Sequence, residues 1–315
     1  MVYLSLVAGF ALLLVGGELL VRGAVAIARR LGTSELMIGL TLVGFGTSTP
    51  ELVTSLDAAL AGAPGIAVGN VVGSNIANIL LILGVGALIM PMRTTREAFR
   101  RDGPVLLGAS VLLVGACSLD VIPRPIGALF LALLLTYTWY TYRTERAAPN
   151  ASAAMHAAEA GALGPVPGAL GTALASALGG LAGVLIGASL LVEAAIRIAQ
   201  IWGVSDAVIG LTIVAAGTSL PELATAVVAA FRRQADIAFG NIVGSNIFNA
   251  LGILGATTLV APLTVPASIA AFDVWVMLAV ALVGSGFAMT GWRVSRLEGG
   301  ALLLAYGAYL LLMVD

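Results

Sequence analysis

Two stretches of this chain are copies of each other. Residues 38–84 and 209–255 align without a gap at a constant offset of 171, and 28 of the 47 positions are identical. Each copy lies in a series of apolar stretches of about 20 residues, long enough to cross a bilayer as a helix. A duplicated helical unit in an apolar chain restricts the fold to two related helix bundles set against each other. A membrane β-barrel would instead show short segments of alternating polarity. Charged residues make up only 10% of the chain and hydrophobic residues 60%, where a soluble domain carries roughly a quarter charged. The predicted class is all-α integral membrane.

Ten spans are predicted, near 3–28, 36–60, 66–90, 104–119, 122–142, 170–199, 206–230, 237–261, 267–290 and 297–313. They divide into a first five-helix repeat at 1–142, a small, polar, proline-containing linker at 143–169, and a second five-helix repeat at 170–315. Five spans per half is an odd number, so the second copy must enter the membrane in the opposite sense. The N-terminus lacks a charged leader and a small-residue cleavage pattern, so it reads as the first span.

Every basic residue is an arginine. Arg29 and Arg30, Arg93 to Arg101, Arg143 and Arg146, Arg232 and Arg233, and Arg293 and Arg296 all follow odd-numbered spans. The opposite loops hold only Arg124, with Arg197 near an end of span six. The positive-inside rule makes the crowded side cytoplasmic. Both termini are then extracellular and the central linker cytoplasmic, in a multi-pass protein of the cell membrane. A net charge of −1 gives no reason to expect a nucleic-acid partner. Cys117 is the single cysteine, so it forms no intrachain disulfide and is read as packing. His156 falls in the linker and is assigned no role.

Glu51 and Glu222 lie near the middle of spans two and seven, inside the motifs GTSTPE and GTSLPE. A carboxylate at that depth costs several kcal/mol unless it is compensated. Thr47 and Glu51 share a helix face four residues apart, as do Thr218 and Glu222. Ser74 with Asn78, and Ser245 with Asn249, repeat that spacing in spans three and eight, and Ser48 and Ser219 add hydroxyls. Pro50 and Pro221 remove backbone hydrogen bonds and are expected to loosen the carbonyls of Gly46 and Gly217 inside their spans. Carboxylates, hydroxyls, amides and loosened carbonyls form an all-oxygen set, which suits a hard cation such as calcium. No Cys or His stands nearby to favour zinc, copper or iron. Taken singly, Ser, Thr and Asn in membrane helices are common interhelical hydrogen-bond partners. Glu18, Asp57 and Glu193 have no acidic counterpart in the other copy, so snorkelling or a local ion pair is expected of them.

The segments Gly46-Thr47-Ser48-Thr49-Pro50-Glu51 with Gly73-Ser74-Asn75-Ile76-Ala77-Asn78, and Gly217-Thr218-Ser219-Leu220-Pro221-Glu222 with Gly244-Ser245-Asn246-Ile247-Phe248-Asn249, resemble the α-repeats of the calcium/cation antiporter superfamily, the sodium/calcium exchanger family in particular. The resemblance implies a secondary antiporter exchanging Na+ for Ca2+ by alternating access, with no organic cofactor, functional as a monomer in the lipid bilayer. It implies a central calcium site of Glu51, Glu222 and the backbone oxygens of Thr47 and Thr218. Sodium sites around it would use Ser48, Ser74, Ser219 and Ser245, with Asn78 and Asn249 completing the cluster and the carbonyls of Gly44 and Ala215 joining it. Spans one and six resemble the pair that slides across the core. Several prokaryotic and potassium-dependent members carry an aspartate where this chain has Asn249, and the potassium-dependent branch needs it, so the resemblance argues against potassium co-transport. Proton-coupled members usually carry GNxxE in place of GTSxPE. A Ca2+/H+ antiporter is the closest rival. A cation channel lacks a pore-loop motif here, and an intramembrane enzyme lacks a buried histidine beside a serine.

Overall fold

The computed structural model describes residues 2–31, 33–147, 170–202 and 217–314. Apart from four two-residue strands, its regular elements are helices. In chain order they are α1 (Val2–Leu31), α2 in two halves (Leu36–Thr47 and Thr49–Leu60), α3 (Pro64–Ile89), α4 (Arg96–Cys117), α5 (Arg124–Ala147), α6 (Leu170–Ile201), α7 (Leu220–Phe231), α8 (Ala235–Val260), α9 (Ile269–Trp292) and α10 (Arg296–Val314). Among the described residues, six helices (α1, α3, α6, α8, α9, α10) are long and apolar enough to cross a membrane, and α2 makes a seventh if its halves form one span.

Several boundaries differ from those the sequence suggests. The helix expected at 104–119 begins at Arg96, because Thr95 caps it by accepting from the Ala98 N–H at 3.2 Å, which leaves Pro104 inside. The helix expected to end at 142 continues to Ala147, with Arg143 stacked 4.6 Å over the Trp139 ring. The start of the span expected at 206–230 falls outside the described residues, as does most of the linker.

The prolines act differently from the expectation. Pro50 does not loosen a carbonyl inside a continuous helix. The helix stops at Ser48 (φ −80°, ψ 11°) and a new one starts, with Pro50 in its first turn. There the missing N–H would have no intrahelical partner anyway. The two halves of α2 meet at 42°. Ser219 (φ −89°, ψ 6°) and Pro221 repeat the arrangement at the start of α7.

Contacts between the two copies come in matched pairs. Strand β1 (Met92–Arg93) pairs antiparallel with β4 (Arg293–Val294), and β2 (Val121–Ile122) with β3 (Leu263–Thr264). Arg124 caps the end of α8 by donating to the carbonyls of Leu259 and Val260 at 3.1 and 3.2 Å. Arg296 caps the end of α3 through Leu88 and Ile89 at 3.1 and 3.2 Å. Within each half a matched bond recurs: Tyr137 donates to Asp102 at 2.9 Å, and Tyr309 to Asp273 at 3.0 Å.

Helices α1 and α6 pack along a seam of small residues. Gly9, Gly16 and Gly23 on α1 face Gly187, Gly180 and Ala177 on α6. Glu18 pairs with Arg22 on its own helix and with Arg232 at 2.5 Å beyond the end of α7, while Glu193 pairs with Arg197 at 2.6 Å, so both acids form ion pairs as expected.

The seam gives a direct test of packing. A Cβ on Gly180 would overlap the backbone nitrogen of Leu20 and lie 2.7 Å from the Gly16 oxygen, and backbone cannot move aside. A Cβ on its neighbour Gly179 would meet nothing within 4 Å. Gly180→Ala is expected to cost about 1–3 kcal/mol through overpacking, whereas Gly179→Ala should be neutral or slightly stabilising from helix propensity alone. Thermal melting of the two variants in detergent measures the difference, and equal midpoints would contradict the seam.

Candidate ion-binding site

The break at Ser48 puts Glu51 in the first turn of the second half of α2, and the break at Ser219 puts Glu222 in the first turn of α7. Both carboxylates are 1% exposed. They are dressed crosswise. Ser48 Oγ donates to Glu222 Oε1 at 2.7 Å, and Ser219 Oγ donates to Glu51 Oε1 at 3.2 Å. Each half thus supplies a hydroxyl to the other half's acid. The two acids repel each other across the gap, and the other carboxylate oxygen of each, Oε2, has no hydrogen-bond partner among the described residues.

Two amides complete this inventory. Asn78 opens a π-helical stretch of α3 (Asn78–Leu83) packed against α7, and Asn249 lies in the matching stretch of α8 (Phe248–Ile253) packed against the second half of α2. Each is 1% exposed, and neither the oxygen nor the nitrogen of either amide has a hydrogen-bond partner among the described residues. Buried polar groups in folded proteins are nearly always satisfied. Two carboxylate and two amide oxygens left open in one region make a donor set for a hard cation. π-Helical turns also concentrate at functional sites.

The remaining predicted residues fall around this centre. Thr47 is fully buried, its hydroxyl 3.3 Å from the Gly44 carbonyl and 3.1 Å from Asn241 Oδ1. Ser245 Oγ donates to the Gly44 carbonyl at 3.2 Å, which places that carbonyl between α2 and α8. Ser74 is buried in α3, and Thr218 is half-buried in the turn before α7. Ala215 lies outside the described residues. Among the described residues no three of His, Cys, Asp and Glu cluster, so the charge at this site comes from the two glutamates.

Sequence reasoning assigned no role to Asn70 and Asn241. Asn70 Nδ2 donates to the Glu51 carbonyl at 3.0 Å and to Ser55 Oγ at 2.9 Å. Asn241 Nδ2 reaches the Glu222 carbonyl at 3.4 Å while its oxygen meets Thr47. They brace the backbone that carries the acids. The signal was present: both are asparagines in apolar helices, at equal positions in the two copies.

Paired acids buried between two related helical units in an apolar chain are the build of a secondary transporter. Comparison with known proteins narrows that class. The family model described as sodium/calcium exchanger protein matches residues 1–143 and 172–314. The sodium/calcium exchanger MaX1 of Methanosarcina acetivorans is 36% identical, covering 99% of this chain and 98% of its own. The inner membrane protein YrbG of Escherichia coli is 34% identical, covering 97% and 93%. The solved structure of the sodium-calcium exchanger NCX_Mj soaked with zero Na+ and Ca2+ superposes with a TM-score of 0.85 at 31% identity, covering 99% of this chain and all of that one. The chain belongs to the sodium/calcium exchanger family.

Proposed function

We propose that this chain exchanges Na+ for Ca2+ across the membrane as a secondary antiporter working by alternating access. The observation that carries the reading is the crossed pair of acids, each with one oxygen held by the other half's serine and one oxygen open. Calcium is the substrate of the site and takes the open oxygens of Glu51 and Glu222 with the backbone oxygens of Thr47 and Thr218. Sodium ions use the same acids with Ser48, Ser74, Ser219 and Ser245, and Asn78 and Asn249 close the cluster. Six to eight oxygens satisfy calcium, and two formal charges match its own.

The finer architecture belongs to the same proposal. Ten membrane helices form two inverted repeats, 1–142 and 170–315, joined by a cytoplasmic linker, with both termini extracellular. The exchange of partners between strand pairs and the matched caps of Arg124 and Arg296 support a two-fold relation between the halves. The arginine bias of the loops supports the orientation. The protein works as a monomer, because both acids and all the proposed ligands come from one chain.

Flux in proteoliposomes tests the coupling ion. Calcium uptake is expected to follow an imposed sodium gradient, to be indifferent to potassium, and to stay at background when only a pH gradient is imposed. Uptake driven by protons at zero sodium would replace this reading with the Ca2+/H+ antiporter. An absolute potassium requirement would show that Asn249 does not set the potassium response.

A further inference from the structure

The two strand pairs are equivalent in fold and unequal in charge. Arg93 and Arg293 stand directly opposite each other in β1–β4, while the corresponding pair in β2–β3 is Thr264 and Val121. Directly opposed residues of an antiparallel pair project from one face with Cα atoms about 4.5–5.5 Å apart, and like charges there are destabilising. The other pair of the sheet, Met92 and Val294, is fully buried, so the two arginines point outward, and both are exposed.

Arg96 and Arg100 stand one turn apart on α4, also exposed, where the second copy has Ala267 and Ala271. Each position has an uncharged counterpart in the other half, Thr264, Ala267 and Ala271 for Arg93, Arg96 and Arg100, and Val121 for Arg293, so the fold does not require these four arginines. Neighbouring arginines are engaged: Arg296 caps α3, and Arg101 holds Asp102 at 2.7 Å. Among the described residues, the side chains of Arg93, Arg96, Arg100 and Arg293 have no hydrogen bond or ion pair. Glu298 attracts Arg293 at longer range, but its oxygens already accept from Thr290 at 2.8 Å and the Ser295 N–H at 2.7 Å. The other acid nearby is Glu97, exposed between Arg96 and Arg100.

The depth is that of a membrane interface. Trp292 precedes Arg293, and tryptophan marks the headgroup level. Met289, at the end of the helical run before Arg293, and Leu297, at the start of α10, are 50% and 89% exposed. We propose that Arg93 and Arg293, with Arg96 and Arg100 beside them, bind the phosphate headgroup of an anionic phospholipid whose chains lie along Met289 and Leu297. Guanidinium forks match phosphate oxygens two at a time, and basic sites between membrane helices take such headgroups. The bound phosphate relieves the opposed charges and joins the loop before α4 to the loop before α10.

Native mass spectrometry of the full-length protein in detergent tests this with phosphatidylglycerol, phosphatidylcholine or inorganic phosphate added. Two double variants are compared with the parent: R93Q/R293Q, and R93K/R293K, which keeps the charge that orients insertion but loses the fork. Phosphatidylglycerol is expected to bind about thirtyfold more weakly to the glutamine variant, from about 1 kcal/mol per arginine, and to show an intermediate loss with lysine. Arg143→Gln, away from the sheet, should leave binding unchanged. Equal binding to the parent and the glutamine variant would overturn the proposal. So would phosphatidylcholine matching phosphatidylglycerol on the parent, and inorganic phosphate binding as tightly as the lipid would overturn the lipid as the source.

Discussion

Glu51→Gln and Glu222→Gln are each expected to abolish calcium uptake, lowering it at least about a hundredfold, since calcium affinity follows the charge count of its ligands. Glutamine keeps the size and the acceptor oxygen that Ser219 or Ser48 addresses at 3.2 or 2.7 Å, so the local fold should persist. Removing one of two mutually repelling buried acids also relieves a desolvation cost. In ion-free buffer the variants should therefore melt at or above the parent's temperature. What they should lose is the rise in melting temperature on adding calcium, because a ligand stabilises only the state it binds. Uptake and melting together separate a lost ligand from a lost fold. Parental uptake by either variant would remove these acids from the transport site.

The second large effect is on competition. Calcium and the sodium cluster both require Glu51 and Glu222, so the two loads exclude each other. Sodium should raise the apparent calcium Kd progressively while leaving the number of calcium sites unchanged. Protons act in the same direction: protonating either acid removes a ligand, so calcium binding should weaken as the pH is lowered. Scintillation binding or calorimetric titration of calcium across a sodium series measures this. A calcium Kd indifferent to sodium would end the shared-site mechanism while leaving the family assignment intact.

The site was legible because the duplication repeats its polar residues. Glu51 and Glu222 stand out as carboxylates at equal places in apolar helices, and the structure buries both. Asn78 and Asn249 follow from the same equality. Their π-helical setting did not, because a π turn depends on how neighbouring helices pack and leaves no local pattern in the sequence. The prolines were misread for a related reason. A proline in an apolar run is compatible with a kink or with a new helix start, and the ψ of Ser48 and Ser219, near 11° and 6°, is set by the tertiary fold. Asn70 and Asn241 show the opposite failure, since they were visible in the repeat but their carbonyl partners lie 19 residues away in sequence on another helix. The start of α4 was hidden by polar residues that a hydropathy reading discards, and only the Thr95 cap reveals it.

The crossed serines have a consequence for leakage. Moving α7 bodily away from α2 lengthens the bond from Ser48 to Glu222 and the bond from Ser219 to Glu51 together, since the two bonds span the same gap in opposite directions. Such a separation strips both acids at once. An antiporter slips when a single ion escapes while the rest of the load stays behind, and that requires a cage that opens one side at a time. A cage whose two hydroxyls part together on separation releases its load as a set, which ties fidelity of exchange to Ser48 and Ser219.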